Sequence, residues 1–582
     1  MRFLLSFAAI CACVSAGPGG EWTVARSAHF EVYSQTGEEA ARSAIGWFEQ
    51  LRAFFVSHTS LELDHRPPVR VIGFRSVEQY RDYRMRPTAD AYYMGTESRD
   101  YIVMPSLGAS QFRVAAHEYA HVLMHARGLR LPSWLSEGLA EFFSTIRITA
   151  IATTVGGDLP VRSQALRGKW MGLSELLSIT GDSPMRNDRA RNILFYDESW
   201  AMVHMLLLSP RYSPRFPALM TALIADEPGP EALTRVYGES LDAIERDAHA
   251  WMDVHRATVA EMPGVPAQSV VVEASTVPPL ESRLVLGELL FDADQVDRAE
   301  AVYRDLAREA PGLAAVSAGL GAIALRRGDR EGARKEWRRA MEQGVGDASI
   351  CYRYAALAHD AGMDADEIRP ALRRAIMLQP DFDDARYSLA LLEKNIGNYE
   401  AAVEEFRAMK VIAPLRAFNY WSALADALND LGMRDDAKAA AHEAARHAST
   451  PSEHAHASRL AYVADTDLAV RFTRDANGRA QLETTRAPHN QPDFNPFIEP
   501  DDRIRRVEAT IEEIRCDAQT RFAVRTTEGL LVLSVPDPSR VQMRNAPPEF
   551  VCGVQSPRAV KVEYAVIAGE GTNGIVRGIE FR

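Results

Sequence analysis

"GNYEAAVEEFRAMKVIAPLRAFNYWSALADALNDLG", Gly397 to Gly432, is one period of a pattern that runs through the middle of the chain. Aligning Asp294, Gly328, Gly362, Gly397 and Gly432 gives spacings of 34, 34, 35 and 35 residues. Five positions after most of these stands a small residue (Ala299, Ala333, Ala402, Ala437), and four later a bulky one (Tyr303, Trp337, Phe406). Pro311, Pro380 and Pro414 close three of the units. The third unit departs from the pattern: Glu367 stands where alanine is expected, and the register slips there. A fixed period of this kind marks a stack of like units, each unable to bury its apolar face alone. An ordinary helical bundle has no reason to keep it.

The pattern resembles the tetratricopeptide repeat, in which small residues let two antiparallel helices approach and large ones fill the groove between them. The resemblance implies an α-solenoid of about five units over residues 280–450. Such a surface can hold a protein partner or recruit substrate.

Outward from the repeats, the composition changes on both sides. Residues 451–500 are polar and rich in Pro and Asn ("TTRAPHNQPDFNPFIEP") and predict a last helix followed by a linker. Residues 501–582 alternate ("RFAVRTTEGLLVLSV", "VKVEYAVI", "GIVRGIEF") and predict a small, barrel-like all-β domain. Before the repeats, residues 17–265 mix strand composition ("HFEVYS", "VRVIGF") with helical periodicity ("GEEAARSAIGWFEQLRAFFVSH"). "AYYMGTESRDYIVMP" reads as a hairpin or edge strand. The Pro- and Val-rich stretch around residues 266–279 reads as a linker. The fold class expected is therefore multidomain α+β.

The 582 residues are too many for one core, and 47% hydrophobic with 25% charged residues is a globular composition. A net charge of −13 argues against nucleic acid or an anionic membrane as the main partner. The opening "MRFLLSFAAICACVSAGPGG" has a positive charge, a short apolar run and a small-residue exit, the pattern of a secretory signal peptide over residues 1–16. No later stretch is long enough to span a membrane. The expected location is periplasmic or secreted, with lipid anchoring at Cys13 the weaker alternative. Cys11 and Cys13 leave with the signal and Cys351 stands alone. Cys516 and Cys552, sharing the β-region, are the natural disulfide pair in an oxidising compartment.

The chemistry concentrates in "AAHEYAHVLMHARGLRLPSWLSEGLAEFF", Ala115 to Phe143. Residues i and i+4 share one helix face, so His117 and His121 can bite one metal ion, with Glu118 beside its open position as general base. The plain alternative is a satisfied or solvated pair of histidines. Their apolar setting, "FRVAAHEYAHVLMH", is a costly place for rings without partners. After a turn at "GLRLPS", a second helix starting near Ser133 carries Glu137 and Glu141, again four apart.

"HEYAH" followed by "WLSEGLAEF" resembles the gluzincin metallopeptidases, including aminopeptidase N-like and peptidase MA-like families. The resemblance implies one Zn2+ per chain and places the third zinc ligand on Glu137. It implies that Glu141 orients a ligand histidine, the alternative being a solvent-facing charge. "FYDESWAMVHML", Phe195 to Leu206, resembles a helix of the same clan whose tyrosine supports the tetrahedral intermediate. That role falls on Tyr196, the alternative being a core aromatic. His125 reads as a helix-end charge and His204 as a packed residue. The G-x-M-E-N motif by which aminopeptidases of the clan grip a free amino terminus is absent, so the resemblance does not extend to aminopeptidase specificity.

The reading that follows is an exported zinc peptidase acting on peptide or protein substrate, with a repeat solenoid that recruits substrate or partner. The alternative is a periplasmic scaffold whose peptidase-like domain is inert.

Overall fold

The computed structural model describes residues 21–59, 67–96, 99–168, 170–266, 270–474, 480–488, 495, 497–547, 551–569 and 571–582. The expected signal segment, with Cys11 and Cys13, lies outside the described residues. The chain divides into two compact units, one ending at Asp329 and the other beginning at Arg330.

In the first unit, β1 (Trp22–Arg26), β2 (Phe30–Ser34), β3 (Val69–Gly73), β4 (Tyr92–Gly95) and β5 (Asp100–Met104) lie in the order β4-β5-β3-β2-β1. β2, β3 and β5 are parallel neighbours, and β4 is an antiparallel edge strand formed by the expected hairpin. Alternation sorts the side chains to two faces. Phe30, Val32, Val71 and Ile102 meet Phe48 of the helix Glu38–His58 and Tyr119 of the helix Phe112–Ala126. Tyr33, Ile72, Tyr101 and Val103 point the other way, onto Val285 and Leu289 of the helix Pro279–Asp292.

The expected linker at 266–279 needs correction. Glu273–Val277 is a strand that pairs antiparallel with β1 from Trp22 to Arg26, adding a sixth strand to the sheet. The prolines that suggested a linker start the next helix: Pro278 is its N-cap and Pro279 its first residue, where a missing N–H costs nothing. That helix is tied to the far face by polar contacts as well. Arg70 of β3 donates to Glu288 at 2.5 Å, and Tyr101 of β5 donates to Asp292 at 2.8 Å.

The repeat is a series of helix pairs. The first unit holds Pro279–Asp292, Val296–Glu309 and Ala314–Arg326, and the second begins with Arg330–Glu342. Three further pairs follow, from Ala348–Asp360 and Ala365–Leu378 to Ala417–Asp430 and Arg434–His447. Each aligned position stands two residues after a helix end, and each is left-handed: φ is 59° at Asp294, 81° at Gly328, 69° at Gly362, 82° at Gly397 and 71° at Gly432. The next residue's N–H then reaches back into the helix, as in Met363 to Ala358 at 3.0 Å and Asn398 to Glu393 at 2.9 Å. That closure requires positive φ, so glycine recurs at the repeat length. Ala299, Ala333, Ala402 and Ala437 are fully buried, as are Trp337 and Phe406, with Tyr303 nearly so. In the third unit Ile368 and Leu372 take the buried places, and Glu367 accepts hydrogen bonds from Tyr354 and Arg338. These are tetratricopeptide-like helix pairs.

The expected linker within 451–500 is also corrected in part. The helix Pro451–Asp465 opens with a capping box between Thr450 and Glu453. It runs directly into an antiparallel hairpin, Thr466–Arg474 with Ala480–Pro488. The tail is a closed barrel. Ile504–Cys516 pairs with Thr520–Thr526 and Gly553–Gly569, Gly529–Val535 pairs with Thr520–Thr526, and Thr572–Phe581 joins Gly553–Gly569 to Gly529–Val535. A short sixth strand, Gln542–Arg544, pairs parallel with Thr572–Phe581, and the barrel does not by itself name a ligand. Phe522, Val524, Leu533 and Val562 fill it. Cys516 and Cys552 are disulfide-bonded, joining the end of the first barrel strand to the residue before the fourth.

Candidate metal centre

Three helices of the first unit build the centre. Phe112–Ala126 packs under the edge of the sheet and carries His117, Glu118 and His121. A left-handed turn at Gly128 (φ 64°) reverses the chain into Ser133–Ser144, which carries Glu137 and Glu141. Arg189–Leu208 carries Tyr196. Gly138 lets the last two helices close on one another: a Cβ there would run into the Ser199 carbonyl and the Val203 side chain.

His117 Nε2 and His121 Nε2 are 3.4 Å apart, and Glu137 Oε2 lies 3.4 Å from the first and 3.3 Å from the second. Among the described residues these three are the group whose ligand atoms converge in this way. A tetrahedral ion with ligand bonds of about 2.0–2.1 Å needs ligand atoms about 3.3–3.4 Å apart, so the triangle fits zinc. Glu137 Oε2 is buried without a hydrogen-bond partner, an arrangement that costs free energy unless something else meets it.

The surrounding groups hold these side chains. Glu141, expected either beside a ligand histidine or in solvent, is 3% exposed and lies 3.3 Å from His117 Nδ1. Arg162 donates to Glu141 and, at 2.6 Å, to Asp197, while Arg113 donates to Glu141 at 3.2 Å. Ser136 Oγ is 3.4 Å from His121 Nδ1. The Tyr196 hydroxyl lies 3.4 Å from Glu137 Oε1 and 3.1 Å from Arg186, so it faces the cluster. Glu118 is 6% exposed and close enough to feel the charges of both histidines.

The electrostatics follow from burial and from these neighbours. Burial opposes charge on His117, but Glu141, Glu137 and Glu118 outweigh it and raise its pKa to about 10. Burial raises Glu118, and the pull of His117 and His121 does not cancel it. Burial would raise Glu137 too, yet its contacts with the two histidines bring it well below the usual range. For Glu141, burial is overcome by His117, Arg162 and Arg113, leaving it at about 2. Burial, then the Glu137 charge, hold the Tyr196 phenol well above its ordinary value.

Two histidines stay outside the cluster. His125, expected to answer the helix dipole, instead lies with its Nδ1 3.0 Å from Asp100 of β5. His204 is fully buried, accepts at Nδ1 from Trp251 at 2.8 Å and donates from Nε2 to the Gly156 and Thr258 carbonyls. Burial lowers its pKa, and it serves packing.

Arg113, Arg162, Arg186 and Asp197 were not singled out from the sequence. Asp197 adjoins Tyr196, but the arginines come from a helix start, a short helix and a 3-10 turn without pattern. The one available signal was a demand: carboxylates in an apolar setting need cations nearby.

No family model matches the chain, and no curated protein matches it. Among solved structures, similarity falls on repeat proteins. The TPR protein YrrB, described as having an unusual peptide-binding site, is 18% identical over 30% of this chain and 90% of its own, with a TM-score of 0.27. MamA is 20% identical over 29% and 91%, with a TM-score of 0.25. PilF of Pseudomonas aeruginosa is 18% identical over 32% and 83%, with a TM-score of 0.25.

Proposed function

We propose that the chain is an exported zinc-dependent peptidase whose helical repeats bind substrate or a protein partner. The observation that carries the first part is the triangle of His117 Nε2, His121 Nε2 and Glu137 Oε2, 3.3–3.4 Å on each side, with Oε2 buried and lacking a hydrogen bond. Zinc held there would act as a Lewis acid toward a peptide carbonyl and toward water.

The chain's own residues supply the rest. Glu118, its carboxyl raised by burial, takes a proton from the attacking water and returns it to the leaving nitrogen. Tyr196 donates a hydrogen bond to the carbonyl oxygen as charge develops on it. Glu141 holds His117 at Nδ1, which keeps Nε2 facing Glu137 Oε2. The disulfide between Cys516 and Cys552 fits an exported chain, because such bonds persist in oxidising compartments. No described helix is long and apolar enough to cross a membrane.

The test combines metal analysis with one substitution. Purified protein should hold about one zinc per chain, and Glu118→Gln should keep the zinc but lose at least ~10²–10⁴-fold in cleavage of casein or a peptide library. Zinc bound in both with no cleavage by either would favour the second reading, a scaffold with an inert peptidase-like domain. The tetratricopeptide-like helix pairs are what favour that reading.

A further inference from the structure

The two oxygens of Glu137 have different surroundings. Oε2 faces His117 and His121 at 3.4 and 3.3 Å and has no hydrogen-bond partner. Oε1 accepts from Arg186 Nη2 at 2.9 Å and lies 3.4 Å from the Tyr196 hydroxyl. Arg186 is 7% exposed, sits on the short turn Pro184–Asn187 and is pinned there. Its carbonyl accepts from Thr88 at 3.0 Å, and its guanidinium lies 4.5 Å from the Phe195 ring centre and 5.2 Å from that of Tyr196.

We infer that Arg186 is a positioning residue that keeps Glu137 a one-oxygen ligand. The inference rests on the metal reading above. A carboxylate free to rotate can offer both oxygens to a metal and fill the position that hydrolysis needs open. A charge-assisted bond from a guanidinium occupies Oε1 and removes that choice.

The same guanidinium constrains the phenol. Arginine only donates, so the Tyr196 oxygen must accept from Arg186 at 3.1 Å, and its own proton points elsewhere. Its one partner among the contacts above is Glu137 Oε1 at 3.4 Å, a weak bond to an oxygen that Arg186 already satisfies.

The test uses the full chain loaded with Co2+ in place of zinc, as wild type, Arg186→Lys and Arg186→Met. Circular dichroism and thermal melting establish folding. Wild type should show the intense visible bands of four-coordinate cobalt. In Arg186→Met the bands should weaken about twofold or more as Glu137 offers its second oxygen, and Arg186→Lys should recover most of the loss. A role in stability alone would lower the melting temperature and leave the cobalt spectrum of the folded protein unchanged. Arg186→Gln gives the same comparison if Arg186→Met does not fold. A folded variant with the wild-type spectrum overturns the inference and leaves the metal reading standing. Wild type that takes up neither cobalt nor zinc overturns the metal reading itself.

Discussion

Cutting the chain at Val265, where the sequence places the end of the peptidase region, should leave a protein that does not fold. Such a cut removes the sixth strand and the helix Pro279–Asp292, and with them Val277, Val285 and Leu289, which are 3, 6 and 1% exposed. Each buried aliphatic side chain contributes about 1.5–3 kcal/mol, so the three together account for roughly 5–9 kcal/mol. Trp22, Tyr33, Ile72 and Tyr101 would lose their cover, Arg70 its bond to Glu288 and Tyr101 its bond to Asp292. Domains of this kind are stable by only about 5–15 kcal/mol in total. A fragment of residues 21–329 keeps all of these contacts and should unfold cooperatively in urea, followed by tryptophan fluorescence, with zinc bound. A fragment of residues 21–265 that unfolds cooperatively within about 1 kcal/mol of the longer one would refute the reasoning.

Gly138→Ala should lower stability by about 1–3 kcal/mol through the Ser199 carbonyl, against the gain of up to about 1 kcal/mol that alanine brings to an uncrowded helix. A thermal melt at or above wild type would show that the two helices can part. Burial raises the Glu198 carboxyl to about 8, so its contribution is complete at pH 4.5 and below and is lost as the pH rises through 8. Glu198→Gln should therefore match wild type near pH 5 and exceed it at pH 9 by on the order of 1–3 kcal/mol, read from paired urea titrations. Equal stability at both values would mean that Glu198 ionises without penalty. Peptide mapping without reduction should recover the Cys516–Cys552 bond, and Cys516→Ser with Cys552→Ser should cost the barrel about 2–4 kcal/mol.

Periodicity made the repeats legible, because the left-handed closure at Gly362, Gly397 and Gly432 can be met cheaply by few residues other than glycine. The slip in the third unit was visible at Glu367, and its repair by Ile368 and Leu372 needed only a shift along the same helix. The centre was legible where helical spacing alone carries geometry: His117 with His121, Glu137 with Glu141. What escaped notice came from pairings between distant segments. Glu273–Val277 looks like a linker until β1 is beside it, because one strand's alternation does not reveal whether an edge is free to receive it. Arg162 and Arg186 escaped for the same reason. Their role is set by carboxylates 21 and 49 residues away, and nothing in their own neighbourhoods repeats.

The balance of charge in the centre bears on its purpose. Glu118, Glu141 and Asp197 are buried beside the half-buried Glu137, and Arg113, Arg162 and Arg186 answer them. Burying ions costs several kcal/mol each before their attraction is counted, and well-packed apolar residues of similar volume often serve stability as well or better. A chain shaped for stability alone therefore has cheaper ways to join three helices. The cations are also unevenly placed: Arg113 and Arg162 meet Glu141, Arg186 meets the outer oxygen of Glu137 and the Tyr196 hydroxyl, and the inner oxygen faces two imidazole nitrogens. The uncompensated negative charge thus sits on the one oxygen that has no hydrogen bond. A cation between them would let two neutral imidazoles share that position with it. The carboxylates around His117, Glu141 first and then Glu137 and Glu118, outweigh its burial and push its pKa up to about 10.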